Sequence, residues 1–423
     1  MYFALIGILC AGFATLCWRD LRLAALLFVG CLPIYLLRLS LSGIPTTALE
    51  LLFWILVIVW LIRRHRPVPD HPIADPTVNL GPFLPAIIIF VFAATISVFT
   101  APDLLAAVGI WKAYVLEPII FFFLIRSVLS SERDRTAILD ALGASALFVS
   151  IIAVAQWLTG QGIPAPWDIE RRVTSIFPYP NAVGLFVGPI LILGLFRFKH
   201  VPKLWLPTLI LGGCAIVAAQ SEAAIAGVLA TAFLIGILIR RTRLPTIIAA
   251  LCLVGVLLGN APLRAFVVQK ITLQDYSGMV RRTQWEETVN LLSDHPIFGA
   301  GLAGYPTALA PYHTHTDIEI FQYPHNVVLN AWVEMGLLGI IGFLLLDLAI
   351  ALTAWPSIRN SVTQPLSHST AFTLACSFAL LETFIHGLVD VPYFKNDLSM
   401  MTWILIAVLS LAYVRRQPAQ KSS

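Results

Sequence analysis

The stretch PFLPAIIIFVFAATISVF, residues 82–99, contains no charged side chain. A helix of about 20 predominantly apolar residues can span the hydrocarbon core of a bilayer. Similar stretches recur along the chain, which has 423 residues, of which 58% are hydrophobic and only 12% are charged. An ordinary soluble domain carries about 25% charged residues. The composition therefore excludes a soluble multidomain enzyme and predicts an all-α polytopic membrane protein.

Apolar runs separated by polar breaks predict about 12–13 transmembrane helices. The thirteen runs cover residues 2–17, 23–39, 46–62, 82–99, 108–129, 136–158, 180–197, 203–219, 222–239, 245–259, 328–354, 368–389 and 397–414. This pattern divides the chain into transmembrane helices 1–10 in residues 1–259, a large periplasmic loop in residues 260–327, and transmembrane helices 11–13 with a cytoplasmic tail in residues 328–423. A second functional loop on the outer side is expected near residues 159–179.

Basic residues predict the orientation, because cytoplasmic loops retain Lys and Arg. Eighteen of the 27 Lys and Arg residues lie in alternate loops that would share one side: Arg19, Arg22, Arg63, Arg64, Arg66, Arg126, Arg133, Arg135, Arg197, Lys199, Lys203, Arg240, Arg241, Arg243, Arg359, Arg415, Arg416 and Lys421. The C-terminus is therefore expected in the cytoplasm and, for an odd number of spans, the N-terminus outside. The net charge of +4 is too small and too dispersed to indicate nucleic-acid binding.

The two outer connections hold the polar residues that remain. Residues 159–179 are rich in Gly and Pro, which predicts a surface loop or re-entrant segment instead of a helix. In the longer connection, VRRTQWEETVNLLSD at residues 280–294 predicts a helix with Trp285, Val289 and Leu292 on one apolar face. The next residues, HPIFGAGLAGYP, form a Pro/Gly turn cluster.

Three sequence elements in the long connection occur in a characteristic order. Arg281 stands four residues before Trp285, the turn HPIFGAG follows at residues 295–301, and the pair His325-Asn326 precedes an apolar helix. This order resembles the O-antigen ligase and polymerase superfamily. Upstream, RVTSIFPYPN at residues 172–181 is similar to the family segment RxtGxfxNPN, with Ser175 at the usual glycine, and downstream HGLVD at residues 386–390 precedes the last span. The resemblance covers roughly residues 170–390.

The resemblance implies a glycosyltransferase of the bacterial inner membrane with its active site on the periplasmic face. Its donor would be an undecaprenyl-diphosphate-linked glycan, and its acceptor a hydroxyl of a glycan or lipid such as lipid A core. Inverting transfer would need no metal and no cofactor. An O-antigen or exopolysaccharide polymerase of the same superfamily and a protein O-glycosyltransferase are alternatives. A lipid-linked sugar transporter or flippase is the alternative from another class, although its polar groups would be expected at the middle of the membrane.

The resemblance assigns the catalytic roles to His325, Arg281 and Arg172. A neutral histidine can take a proton from an acceptor hydroxyl, and the guanidinium groups suit a leaving diphosphate. The predicted substrate-binding residues are Arg282, Arg171, Asn326, Asn181, Trp285, His386 and Asp390. Asn181 and Asn326 mark helix N-termini on the predicted outer side, where free backbone N–H groups favour a bound phosphate.

Structural interpretations of the same residues stay open. Arg281 could stack on Trp285 one helical turn away, Arg282 could pair with Glu286, and Arg172 could pair with Asp168 or Glu170. The cluster of His313, His315, Asp317 and Glu319 could in principle converge on a metal ion. A solvated polar loop explains the cluster more simply, and no metal site is predicted.

Overall fold

The computed structural model describes residues 2–41, 44–66, 74–77, 79–129 and 131–414. Helices dominate this part of the chain. They are α1 (Tyr2–Arg19), α2 (Leu21–Gly30), α3 (Ala48–His65), α4 (Phe83–Thr100), α5 (Leu104–Trp111), α6 (Glu117–Val128), α7 (Glu132–Thr159), α8 (Asn181–Arg197), α9 (Pro202–Ala218), α10 (Glu222–Leu238), α11 (Arg243–Gly259), α12 (Ala261–Ile271), α13 (Tyr276–Asp294), α14 (Tyr305–Leu309), α15 (Val327–Thr363), α16 (His368–Gly387) and α17 (Asn396–Val414). A π-helical turn, Lys112–Leu116, joins α5 to α6.

Six of these helices are long and apolar enough to cross a membrane. They are α4, the continuous α5–α6 helix, α7, α15, α16 and α17. The helical pair Arg243–Gly259 and Ala261–Asp294, bent by 107°, would add a seventh span. Further apolar helices of 10–17 residues include α2, α8, α9 and α10. The predicted all-α polytopic membrane architecture is confirmed, but fewer of the described helices reach spanning length than the thirteen apolar runs suggested.

The predicted single helix over residues 23–39 is wrong. Helix α2 ends at Gly30, and a 3-10 turn, Leu32–Leu36, follows with Pro33 in its first turn. Proline removes a backbone donor and clashes with the preceding turn of an α-helix. The chain then forms strand β1 (Arg38–Leu41), which pairs antiparallel with β2 (Ile44–Thr47). The apolar run therefore contains three short elements in place of one span.

Polar contacts between interhelical segments define one end of the helix bundle. Arg22 pairs with Asp134 at the start of α7, and Arg63 donates to the carbonyl of Trp18 at the end of α1. Arg240, which follows α10, donates through its backbone N–H to the carbonyl of Ser361 near the end of α15. These contacts join three of the segments that the sequence predicts on the cytoplasmic side in one group and two more in another.

The opposite end carries residues 160–180 and 260–326, and is called the loop side below. The N–H of Val173 donates to the carbonyl of Ala218, 3.2 Å away. Lys270, in α12, pairs with Glu222 at the start of α10, at 2.7 Å. Since Ala218 and Glu222 flank the turn between α9 and α10, both loop segments are anchored at one place.

Two hydrophobic cores hold the molecule together. The larger lies within the bundle, where α4 packs along α15, α7 along α9, α8 along α16, and α6 along α17. A smaller core on the loop side contains Leu291, Leu292, Ala300, Tyr305, Leu309 and Val333. This second core packs α13, α14 and the intervening turn against the first part of α15, and so fixes the long loop segment on the bundle.

The turn at residues 295–301 contacts α15 through backbone atoms. Helix α15 breaks at Gly336, which has φ +70°, and the N–H of Ala300 donates to the carbonyl of Val333 at 2.7 Å. A Cβ atom at Gly299 would lie 2.4 Å from the Val333 oxygen, and one at Gly336 would lie 2.2 Å from the Ile297 oxygen. Glycine is therefore required on both sides of this contact. This backbone contact positions the part of α15 that follows His325-Asn326.

Candidate functional site

His325 is held in a strained conformation on the loop side. Its φ is +47°, in the left-handed region that side chains other than glycine rarely adopt. Its ring packs edge-on against Phe321 and Tyr323, with centroid distances of 5.1 and 5.0 Å. The Nδ1 atom lies 3.6 Å from Oδ1 of Asp390. Backbone strain of this kind, maintained by surrounding contacts, is typical of functional sites.

Asp390 supplies a buried negative charge next to this imidazole. Its side chain is 2% exposed, and Oδ1 accepts a hydrogen bond from the N–H of Val391 at 2.8 Å. Burial raises the pKa of Asp390, but the neighbouring His325 and the charge of His386 lower it by more, so the pKa lies below its usual value. Asp390 is therefore ionised at neutral pH, where it can orient His325 and stabilise a protonated imidazole.

Two other predicted residues form hydrogen bonds with the segment around Asp390. The Nδ2 atom of Asn326 donates to the carbonyl of Leu388 at 3.0 Å, and Nε of Arg281 donates to the carbonyl of Val389 at 2.9 Å. His325, Asn326, Arg281 and Asp390 are called the 388–390 cluster below. The two helices that carry this cluster start 51 residues apart in sequence, α13 at Tyr276 and α15 at Val327, and meet on one short loop.

Asn326 and Trp285 have structural contacts that position His325. Oδ1 of Asn326 accepts from the N–H groups of Val328 and Leu329, both at 3.0 Å, and so caps the N-terminus of α15. The indole of Trp285 donates to the carbonyl of Pro324 at 3.0 Å. The chain is thus fixed on both sides of His325, which explains how its strained backbone is maintained.

Arg172 and Asn181, both predicted as site residues, contact each other on the neighbouring loop. Nη2 of Arg172 donates to Oδ1 of Asn181 at 3.3 Å, and Nε donates to the carbonyl of Ala219 at 3.3 Å. The guanidinium also lies 5.2 Å from the Trp167 ring centre and 4.0 Å from a carboxylate oxygen of the exposed Glu170. The local salt bridge and the contact with the start of α8 therefore exist together.

Ser175 shows why this segment usually has glycine at its position. Its φ is +54°, and the residue is buried. The N–H of Ser175 donates to Oε1 of Gln156 at 2.7 Å, and its hydroxyl donates to the carbonyl of Val149 at 2.7 Å. These two hydrogen bonds to α7 offset the strain of a left-handed serine and hold the loop that carries Arg172.

Three other predicted residues do not join the 388–390 cluster. Arg282 is exposed and makes no hydrogen bond or ion pair within the described residues. Arg171 is exposed and donates to the carbonyl of Trp157 at 3.4 Å. His386 is 1% exposed inside the bundle, where its Nδ1 lies 3.6 Å from Oε1 of the fully buried Glu382. His386 therefore lies inside the bundle and outside the 388–390 cluster.

The polar residues after α14 help to fold the loop side. Oε2 of Glu287 lies 3.1 Å from Nδ1 of His313, and its Oε1 accepts from the N–H of Thr314 at 2.9 Å. Glu287 is 4% exposed, whereas Val289 is 49% exposed. Of the predicted apolar face of α13, Leu292 is buried but Val289 is exposed, and the helix also buries polar side chains such as Glu287 that hold the following loop.

Lys395 and Tyr179 are two side chains of this region that the sequence reasoning missed. Lys395 Nζ lies 4.1 Å from the centre of the Tyr179 ring. Tyr179 belongs to the turn before α8, and Lys395 directly precedes α17. The signal for this contact in the sequence was a single lysine between an apolar loop and the last predicted span.

A family model described as O-antigen ligase matches residues 207–344, about a third of the chain. This part of the chain belongs to the O-antigen ligase superfamily. Among curated proteins, none matches the chain.

Membership of the O-antigen ligase superfamily indicates a membrane enzyme of the glycosyltransferase type, in the ligase and polymerase class. The matched range includes Arg281, Trp285 and His325. Arg172 and Asp390 lie outside it and are joined to the ligase region by the contacts described above. The O-antigen ligase domain therefore supplies the imidazole, while the last loop of the chain supplies the carboxylate beside it.

Proposed function

We propose that the protein transfers a glycan from an undecaprenyl-diphosphate carrier to an acceptor hydroxyl on the periplasmic face of the bacterial inner membrane. The observation that carries this proposal is the position of His325 beside the buried carboxylate of Asp390. The backbone of His325 is strained, its ring packs between two aromatic rings, and its Nδ1 atom lies 3.6 Å from Oδ1 of Asp390. A histidine oriented by a carboxylate is a recurrent arrangement for general-base catalysis.

The proposed reaction is an inverting displacement. The acceptor oxygen forms a bond to the anomeric carbon of the glycan while the bond from that carbon to the carrier diphosphate breaks. The hydroxyl proton goes to His325, and the ionised Asp390 stabilises the resulting imidazolium. Undecaprenyl diphosphate leaves with the bonding electrons. Arg281, anchored through Nε on the Val389 carbonyl, and Arg172 would offset its negative charge. No step requires a metal ion or cofactor.

The acceptor defines the finer function. A ligase would use lipid A core or a similar lipid-linked core sugar, and this is the acceptor that we propose. A polymerase of the same superfamily would use a second lipid-linked repeat unit, which also offers a sugar hydroxyl to His325. The two reactions share the same donor chemistry, so the residues of the 388–390 cluster have the same roles in both.

The test is transfer by the purified protein in lipid nanodiscs, with a polyprenyl-diphosphate oligosaccharide as donor. Lipid A core and a second donor molecule are supplied separately as acceptors. His325→Ala should lower the transfer rate by about 10²–10⁴-fold, the usual contribution of a general base. His315→Ala is the matched control, because His315 is an exposed histidine of the same loop segment. It should leave transfer unchanged.

Three results would refute the proposal in whole or in part. Wild-type transfer by a correctly folded His325→Ala variant would exclude the base. Movement of the labelled donor across a vesicle membrane, without any new glycosidic bond, would favour the transporter alternative. Product formation with only the second donor as acceptor would identify a polymerase and overturn the ligase assignment.

A further inference from the structure

Lys395 carries a buried ammonium group on the loop side. Its Nζ atom is shielded from solvent and has no hydrogen-bond partner within the described residues. No carboxylate of this part of the chain lies within 4.0 Å of it, although the charge of Asp397 acts on it from farther away. Burial lowers the pKa of Lys395 to about 8, against the opposing effect of Asp397. An ammonium in such a place is costly unless it has a partner.

Tyr179 provides a second buried donor next to Lys395. The ammonium lies 4.1 Å from the centre of the Tyr179 ring, and the Tyr179 hydroxyl is itself buried without a hydrogen-bond partner in the described chain. Most buried polar atoms in proteins are hydrogen-bonded, so two neighbouring exceptions require an explanation. Both groups can donate, and neither finds an acceptor among the residues that the structure describes. The group that would satisfy both is a negatively charged acceptor.

The turn that contains Tyr179 has two positive features, whereas Asp397, two residues after Lys395, and Glu170, beside Arg172, carry negative charges. Tyr179 is followed by Pro180 and Asn181, the first residue of α8, and Asn181 accepts a hydrogen bond from Arg172 at 3.3 Å. The positive end of the α8 dipole therefore lies at the turn that contains Tyr179, and the Arg172 guanidinium contacts the first residue of α8. A helix N-terminus favours anions such as phosphate, and Arg172 adds a second full positive charge to that of Lys395.

Lys395 is also held in place before any ligand binds. The hydroxyl of Tyr393 donates to the carbonyl of Tyr114 at 2.7 Å and accepts from the indole of Trp403 at 2.9 Å. Tyr393 is buried and lies two residues before Lys395, so the backbone beside the lysine is anchored on the α5–α6 helix and on α17 itself. A fixed ammonium loses little conformational freedom on binding an anion.

We propose that Lys395 and Tyr179 bind a phosphate group of a membrane lipid, which in the proposed function is the diphosphate of the glycan carrier. Phosphate fits because it offers several acceptor oxygens to both donors and a charge that neutralises the ammonium. Sugar hydroxyls would satisfy the hydrogen bonds but leave the buried charge. The identification of the lipid as the carrier rests on the proposed function, whereas the phosphate chemistry rests on the pair itself.

The test measures binding of farnesyl diphosphate, a short prenyl diphosphate, to the protein in phosphatidylcholine nanodiscs. Lys395→Met should weaken binding at least about tenfold, because it removes the charge and keeps a chain of similar length. Lys395→Arg keeps the charge and should retain most of the affinity. Lys199→Met is the matched control, because Lys199 is exposed and also lies over an aromatic ring, that of Phe198. Equal affinities of wild type and Lys395→Met, with no effect of the substitution on phosphatidylglycerol binding either, would overturn the proposal.

Two further arms separate the sources of the phosphate. If phosphatidylglycerol raises the melting temperature of the wild type but not of Lys395→Met, while farnesyl diphosphate affinity is the same in both, the site binds phospholipid headgroups and the carrier assignment is overturned. Inorganic pyrophosphate should bind more weakly than farnesyl diphosphate, and equal binding would overturn the lipid assignment. Transfer is measured in the same preparation. Intact binding without transfer would refute the proposed function and leave this site standing.

Discussion

Replacing Lys395 by methionine should stabilise the empty protein. Burial lowers the Lys395 pKa from 10.5 to about 8, and each pKa unit corresponds to about 1.4 kcal/mol. The buried charge therefore costs up to about 3 kcal/mol of unfolding free energy at pH 7, and partial exposure of the side chain reduces this to about 1–3 kcal/mol. Methionine removes the charge and retains a contact with the Tyr179 ring. A rise in melting temperature of a few degrees is expected.

The pH dependence of this effect has a definite sign. Because the pKa of the folded state is lowered, the unfolded state binds more protons between pH 8 and 10.5, and wild-type stability rises with pH in that range. The advantage of Lys395→Met should therefore be largest below pH 8 and vanish above pH 10.5. Thermal melts in detergent without added phospholipid, at several pH values, measure it. A variant that is less stable than wild type at pH 7, or a difference independent of pH, would refute the reasoning.

Three other substitutions test the parts of the site separately. Asp390→Asn keeps the volume but removes the charge beside His325, so single-turnover transfer by the folded variant should fall about 100-fold or more; unchanged transfer would exclude Asp390 from the reaction. Gly336→Ala would place its Cβ 2.2 Å from the Ile297 oxygen at φ +70°, and should lower the unfolding free energy by at least about 2 kcal/mol. In Gly213→Ala, the control, the Cβ meets nothing within 4 Å, so an equal loss in both variants would contradict this account. Ser175→Gly should be nearly neutral in thermal melts, because glycine adopts φ +54° without strain and so offsets the lost hydroxyl bond to Val149.

Much of the helical framework could be predicted from the sequence, because hydrophobicity alone determines which runs lie in a bilayer. The exception at residues 23–39 has a local cause. Pro33 ends regular helix within an apolar run, and a hydropathy pattern does not register the loss of one backbone donor. The lengths of the helices were less predictable, because equally apolar runs can form a helix of 17 residues or one of 28 residues.

The site was predictable where it depends on a motif and unpredictable where it depends on contacts between loops. The order of Arg281, Trp285 and His325 was visible in the sequence, and the structure joins them through Pro324 and Val389. The predicted face of α13 is buried at Leu292 but exposed at Val289, because part of the buried side of the helix is set by loop contacts such as those of Glu287, which hydrophobic periodicity cannot register.

The pairing of Lys395 with Tyr179 illustrates the same limit. The two residues lie 216 positions apart, and neither belongs to a recognisable spacing pattern. Their contact exists only because α17 and α8 begin at the same end of the bundle. Sequence reasoning selected arginines for the phosphate because arginine suits bidentate binding, and it passed over a lysine whose importance depends on burial.

In the loop at residues 388–390, two residues are contacted through their backbone carbonyls and one through its side chain. Arg281 and Asn326 contact the carbonyls of Val389 and Leu388, which any residue at those two positions would provide. At Asp390 it is the side chain that lies beside His325. Backbone recognition therefore fixes the loop while leaving two of its side chains free to vary, and the single carboxylate couples the loop to the reaction.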